Sequence, residues 1–180
     1  MVPVERMIAL DESGCNAAMT LLNGRAPRGE RVYDHRPANW GKNLSIIGAI
    51  RQDRVLCHQT FEGTVNSQRF IEFVEHRLCP RLYPGDVVLL DNLRQHHTPR
   101  VRELVEATGA RLLFLPPYSP ELNPIEPCWS FVKAYLRKLA HRTLDPLRRA
   151  IRTGLQRVCS RHLAGWFKHC GYNQPERSLV

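Results

Sequence analysis

The sequence predicts an α/β domain built on a mixed five-stranded sheet flanked by helices, three strands antiparallel and two parallel. Three observations predict it. Short apolar runs recur at Met7–Leu10, Leu44–Ile50, Val55–Phe61, Val87–Leu90 and residues 110–115, each of a length that suits a buried strand. Stretches with apolar residues at helical spacing lie between and after them. The last two runs flank one such stretch, and strand–helix–strand is a parallel crossover.

Met7–Leu10 is the first strand and closes on Asp11 and Glu12. Cys15–Leu22 is apolar enough to be a strand or a tucked turn, and Asn23-Gly24 marks the break. Residues 25–43 are polar and turn-rich, an excursion whose Arg25, Arg28 and Arg36 are either phosphate contacts or ordinary loop charges. The polar Arg51–Arg54 is a hairpin-length link between the second and third strands, so the first three strands are antiparallel neighbours. Asn66–Leu78 reads as an amphipathic helix with Asn66 as cap and Phe70, Phe73 and Val74 in the core. Pro80 and Pro84-Gly85 end that region, and the strand Val87–Leu90 delivers Asp91 at its C-terminal edge. After His96 and His97 a helix opens at Thr98-Pro99 and closes at Gly109, before the strand at 110–115.

Pro116, Pro117, Pro120 and Pro124 then forbid regular structure, because each fixes its own φ and restrains the residue before it. Asn123-Pro124 reads as a helix start, Asn123 the cap and Pro124 the first helical residue. Pro127 tightens or bends the first turn, and Trp129, Val132, Leu136 and Leu139 form an apolar packing face. A further helix starts at Thr143–Pro146 with Leu147, Ile151, Leu155 and Val158 inward, and Trp166 and Phe167 mark a last short one.

A chain of 180 residues suits a single domain, here taken as 1–180. It has no apolar run of about 18 residues for a membrane span and no export leader. The six cysteines show neither a C-x-x-C pair nor zinc spacing, which points to reduced, mostly buried thiols and a cytoplasmic protein. The net charge of +9 lies in the C-terminal third: residues 127–180 carry eleven Lys and Arg against Asp145 and Glu176, while the rest balances. A basic surface beside an acid-lined site suits a polyphosphate, though a solvated helical face has the same composition. Lys133, Arg137 and Lys138, nearest the acids, are the candidate DNA contacts.

Asp11, Asp91 and Glu126 each close or follow an apolar strand. Asn-x-x-Glu at 123–126 is also a capping box, in which Glu126 would only bond a backbone N–H. Asp91 by itself is equally an ordinary strand-end aspartate. Three such acids together are what a divalent-metal site for phosphoryl transfer requires, since hard oxygen ligands hold magnesium.

Asp11-Glu12-Ser13, Asp91-Asn92 with His96, and Ser119-Pro-Glu-Leu-Asn-Pro-Ile-Glu126 followed by Trp129 and Lys133 resemble a bacterial insertion-sequence transposase. The resemblance is to the catalytic domain of the mariner-like superfamily of DDE transposases, over residues 7–172. Thirty-four residues separate Asp91 from Glu126, as in that group. Leu93 stands where members often carry a small residue. The resemblance implies the ribonuclease H-like fold, with Asp11, Asp91 and Glu126 binding two Mg2+ or Mn2+ ions for DNA strand cleavage and transfer of the 3′-hydroxyl to target DNA. Asn92 and His96 would orient ligands or phosphate, while Glu12 would stand behind the metal ligands or at the surface. Double-stranded DNA is the implied partner, bound by a homodimer in a cytoplasmic, nucleoid-associated complex. With Asp11 so early, the expected N-terminal helix-turn-helix region has no room. That suggests a partner encoded in an upstream frame, or a truncated, catalytically idle DNA-binding or dimerisation fragment that interferes with a full-length transposase.

Overall fold

The computed structural model describes residues 2–39, 41–93 and 96–172. Trp40, and Glu176 and Arg177 of the C-terminal charge count, lie outside them. The strands are β1 (Met7–Asn16), β2 (Asn43–Arg51), β3 (Val55–Glu62), β4 (Val87–Leu90) and β5 (Arg111–Phe114). They form one sheet in the order β3-β2-β1-β4-β5. β1–β2 and β2–β3 are antiparallel and β4–β5 is parallel, as the run spacing implied, and β1–β4, parallel as well, joins the two sets.

The helices are α1 (Ser67–Phe73), α2 (Pro99–Glu106), α3 (Ile125–Leu139), α4 (Leu144–Gln156) and α5 (Ser160–His169). Strand alternation sends Ile8, Leu10, Ile47 and Ala49 to one face, where Phe70, Phe73, Val101 and Val105 of α1 and α2 cover them. Ala9, Ile46 and Ile50 face the other way, under Ile125, Trp129, Val132, Ile151 and Phe167 of α3, α4 and α5. The predicted helix over 66–78 is two pieces. Asn66 caps α1 by accepting from the Arg69 N–H at 2.9 Å, and the chain then widens into a π turn over Val74–Leu78.

β1 runs six residues past Leu10, so Asp11 and Glu12 lie inside a strand and not after one. Its partner β2 pairs as far as Asn16 with Asn43, and that ladder carries the polar residues that an apolar-run criterion excludes. Beyond Asn16 the segment to Leu22 is irregular, which leaves the tucked turn. All six cysteines are free, and four of them are buried. Among the described residues no helix is long and apolar enough to cross a membrane.

Candidate active site

Asp11 and Asp91 directly follow Leu10 and Leu90, the last registered pair of the parallel strands β1 and β4. Neighbouring strands lie about 4.8 Å apart, so the sheet itself sets these two acids side by side. Glu126 is in the first turn of α3. The proline loop returns the chain from β5 to that point along one wall of a cleft of about 430 Å3, which Asp91, Asn123 and Glu126 also line. Tyr118, at the crown of this loop, is fully exposed and has a φ of 55°.

Asp11 is 6% exposed. Burial pushes its carboxyl up to about 7, and the negative charges of Glu126 and Asp91 add to that push. The three acids therefore share one electrostatic site. The Trp129 indole Nε1–H donates to Asp11 Oδ2 at 3.2 Å and favours the charged form. Trp129 reaches that carboxylate because Gly48 is the β2 partner of Asp11. A Cβ on Gly48 would lie 2.6 Å from Trp129 Cη2. Trp129 is thus both a packing residue and a carboxylate donor, the second role being a correction to its reading as packing.

His96 is fully buried and stacks on Phe70, with ring centroids 4.4 Å apart. One of its nitrogens bonds Asp91 Oδ1 and the other bonds Glu12 Oε1 at 3.2 Å. Burial disfavours the charged ring, but the hydrogen bonds and charges of Asp91 and Glu12 prevail and raise its pKa to about 9. Near neutrality His96 is therefore an imidazolium clamped between two carboxylates. Glu12 stands behind the site, as expected, on the strand face opposite Asp11. Asn92 bonds His97, whose ring stacks on Phe114. Leu93 is half-exposed at the cleft.

The capping reading of Asn123 and Glu126 is corrected. Pro124 takes the cap position of α3, without a side-chain cap bond. The Asn123 N–H donates to Pro120 O at 3.0 Å, so it is not available to Glu126. Asn123 is 2% exposed, and its Oδ1 has no hydrogen-bond partner among the described residues. An unpartnered amide oxygen and three carboxylates on one site form a hard-oxygen donor set, which fits a divalent cation. As the side chains stand, no three His, Cys, Asp or Glu residues among those described are close enough to hold one. One oxygen of Asp91 is engaged by His96.

Lys133 and Arg137 line a separate cleft with Cys15, Asn16 and Arg36 of the excursion after β1. Lys138 is exposed and lies outside that cleft.

Residues 6–148 match the family model described as DDE superfamily endonuclease. The chain belongs to this family. Among known relatives of this DDE-family chain, the uncharacterized protein y4pE/y4sA of Sinorhizobium fredii (strain NBRC 101917 / NGR234) is 45% identical over 47 residues. That match covers 26% of this chain and 33% of the relative. The solved Mos1 transposase paired-end complex with left transposon end superposes with a TM-score of 0.74 at 17% identity, over 93% of this chain and 52% of that one. The mariner Mos1 paired end complex with Mg gives 0.71, again at 17% identity, over 93% and 54%. At such identity the likeness is one of fold, the ribonuclease H-like sheet. The chain spans about half the length of the Mos1 chain.

Proposed function

We propose that this chain is the catalytic domain of a transposase, a metal-dependent DNA endonuclease and strand transferase. It would hydrolyse a phosphodiester at a transposon end and pass the freed 3′-hydroxyl to target DNA. The observation that carries this reading is the convergence of Asp11, Asp91 and Glu126 on one electrostatic site, from two adjacent strands and a helix start. These three residues would hold two Mg2+ or Mn2+ ions. Such ions supply Lewis acidity for the attacking and leaving oxygens of an in-line displacement.

The chain's own residues prepare that site. Trp129 holds one oxygen of Asp11 in place. The His96 imidazolium fixes Asp91 and Glu12 in orientation, as the outer partners of metal ligands do. The proline loop and the first turn of α3 hold Glu126 on a rigid base. Burial contributes most to the raised pKa of Asp11, and the charges of Glu126 and Asp91 add a repulsion that a divalent cation would relieve. Duplex DNA as substrate, two copies of the chain acting together, and terminal-repeat recognition by a helix-turn-helix segment belong to the same proposal. Lys133 and Arg137, in their separate cleft, and the exposed Lys138 are its proposed backbone contacts.

Nicking of supercoiled plasmid in Mn2+, with EDTA as control, tests this reading. The wild-type chain should nick, and Glu126→Gln should lose at least about a hundredfold of the rate, as expected when a metal ligand is removed. A folded wild-type chain that binds DNA but never nicks it would replace this reading with that of the idle fragment.

A further inference from the structure

A second cluster of charge lies on the far side of Trp129 from the acids. Asp11, Gly48 and His58 form one row across β1, β2 and β3, so their Cβ positions share a sheet face. The Trp129 ring occupies the gap over Gly48. His58 is thus two strands from Asp11, about 10 Å at ordinary strand spacing, on the edge strand of the sheet.

There His58 and Thr60 line a cleft of about 340 Å3 with Arg77, from the turn after α1, and with Asp145, Arg148, Arg149 and Arg152 of α4. Arg148 is neutralised by Glu62 and Asp145. Arg77, Arg149 and Arg152 have no carboxylate partner among the described residues. His58 Nδ1 is buried without a hydrogen-bond partner. Burial, and then the charges of Arg152 and Arg77, lower the pKa of this ring, so the guanidiniums bear directly on it. All three arginines are exposed, yet from two elements they line one concave site, together with His58 and its unpartnered nitrogen.

We propose that this cleft binds the phosphodiester backbone of nucleic acid away from the phosphodiester being cut. Guanidinium forks match phosphate oxygens in shape and charge, and Thr60, Gln59 and His58 line the cleft with further polar groups. The catalytic cleft opens on the β4–β5 side of Asp11, and this cleft opens on the β3 side. A phosphate held here is therefore not the one presented to the acids. The inference deepens the nucleic-acid reading above and rests on it.

The test is fluorescence anisotropy of a labelled 30-base-pair duplex of arbitrary sequence, in EDTA, over a range of salt. The full chain is compared with the R77Q/R149Q/R152Q triple variant and with R77K/R149K/R152K as the charge-retaining control. Removing three phosphate contacts should flatten the dependence of log K on log salt by about 2 to 3 and weaken binding at 0.1 M salt at least about tenfold. The lysine variant should keep most of the slope, and circular dichroism should show both variants folded. Wild-type binding with an unchanged slope in the glutamine variant overturns this inference alone. A wild-type chain that binds no duplex at low salt overturns the nucleic-acid reading and this inference with it. A glutamine variant that loses only poly-glutamate, and not duplex, overturns it in favour of an acidic protein partner.

Discussion

Replacing Gly48 by alanine is predicted to disturb the Asp11 carboxylate through the Trp129 ring. The new Cβ would stand 2.6 Å from Trp129 Cη2 and 3.2 Å from Cζ2, so the indole must move. Trp129 is 2% exposed and belongs to the buried core cluster that includes Ile46, Val132 and Leu136, and interiors of this kind are close-packed. Overpacking of this kind costs about 1–3 kcal/mol, or roughly 3–9 °C of melting temperature for a chain of this size. Because Trp129 Nε1 already lies 3.2 Å from Asp11 Oδ2, a shift of a few tenths of an ångström also weakens that bond. Phenylalanine at 129 lacks both clashing atoms. In a W129F background the same G48A change should therefore be neutral or slightly stabilising, since alanine restricts the unfolded chain more than glycine does. Urea midpoints of the four proteins measure the coupling, expected at about 1 kcal/mol or more. Equal costs of G48A in both backgrounds would refute this account of how Asp11 is held.

Other expectations follow from the ion pairs and the perturbed acids. Asp86 is fully buried and doubly bonded by Arg51, at 3.1 and 2.7 Å; D86A strands that guanidinium, and equilibrium unfolding should show a loss of about 3–5 kcal/mol. The His96 ring has a folded pKa of about 9 against an ordinary 6.5. Its contribution to stability is complete below the ordinary value and lost as pH rises through the folded one. Melting temperature should thus decline between about pH 6.5 and 9 in the wild type and less steeply in H96Q. Asp11 releases its proton near pH 7, so the rise in melting temperature on adding Mg2+ should be larger at pH 8 than at pH 6, and D11N should abolish the difference.

Much of the fold was legible because its signals are local. The four-residue run Val87–Leu90 is apolar at every position and buried at every position, as a doubly covered parallel strand must be. The proline loop and the helix it starts were equally readable. What escaped depends on pairing between remote segments. β1 continues through Asp11, Glu12 and Ser13 because β2 supplies partners as far as Asn43, which no window around Asp11 contains. Asn123 and Glu126 carry a capping signature, yet the preceding 3-10 turn takes the Asn123 N–H first. Trp129 falls on an apolar helix face like any core aromatic. Only the register that sets Gly48 opposite Asp11 turns it into a carboxylate donor. His96 was visible as a motif residue, but its clamp on Glu12 joins positions 84 residues apart.

The measurement that bears most directly on the central claim is Mn2+ binding by the purified chain, followed by electron paramagnetic resonance and calorimetry. Wild-type protein should bind Mn2+, and D11N, D91N and E126Q should each weaken it about tenfold or more while remaining folded. A wild-type chain that binds no Mn2+, or three variants that bind it as well as the wild type, would contradict the assignment of these three carboxylates to one metal site.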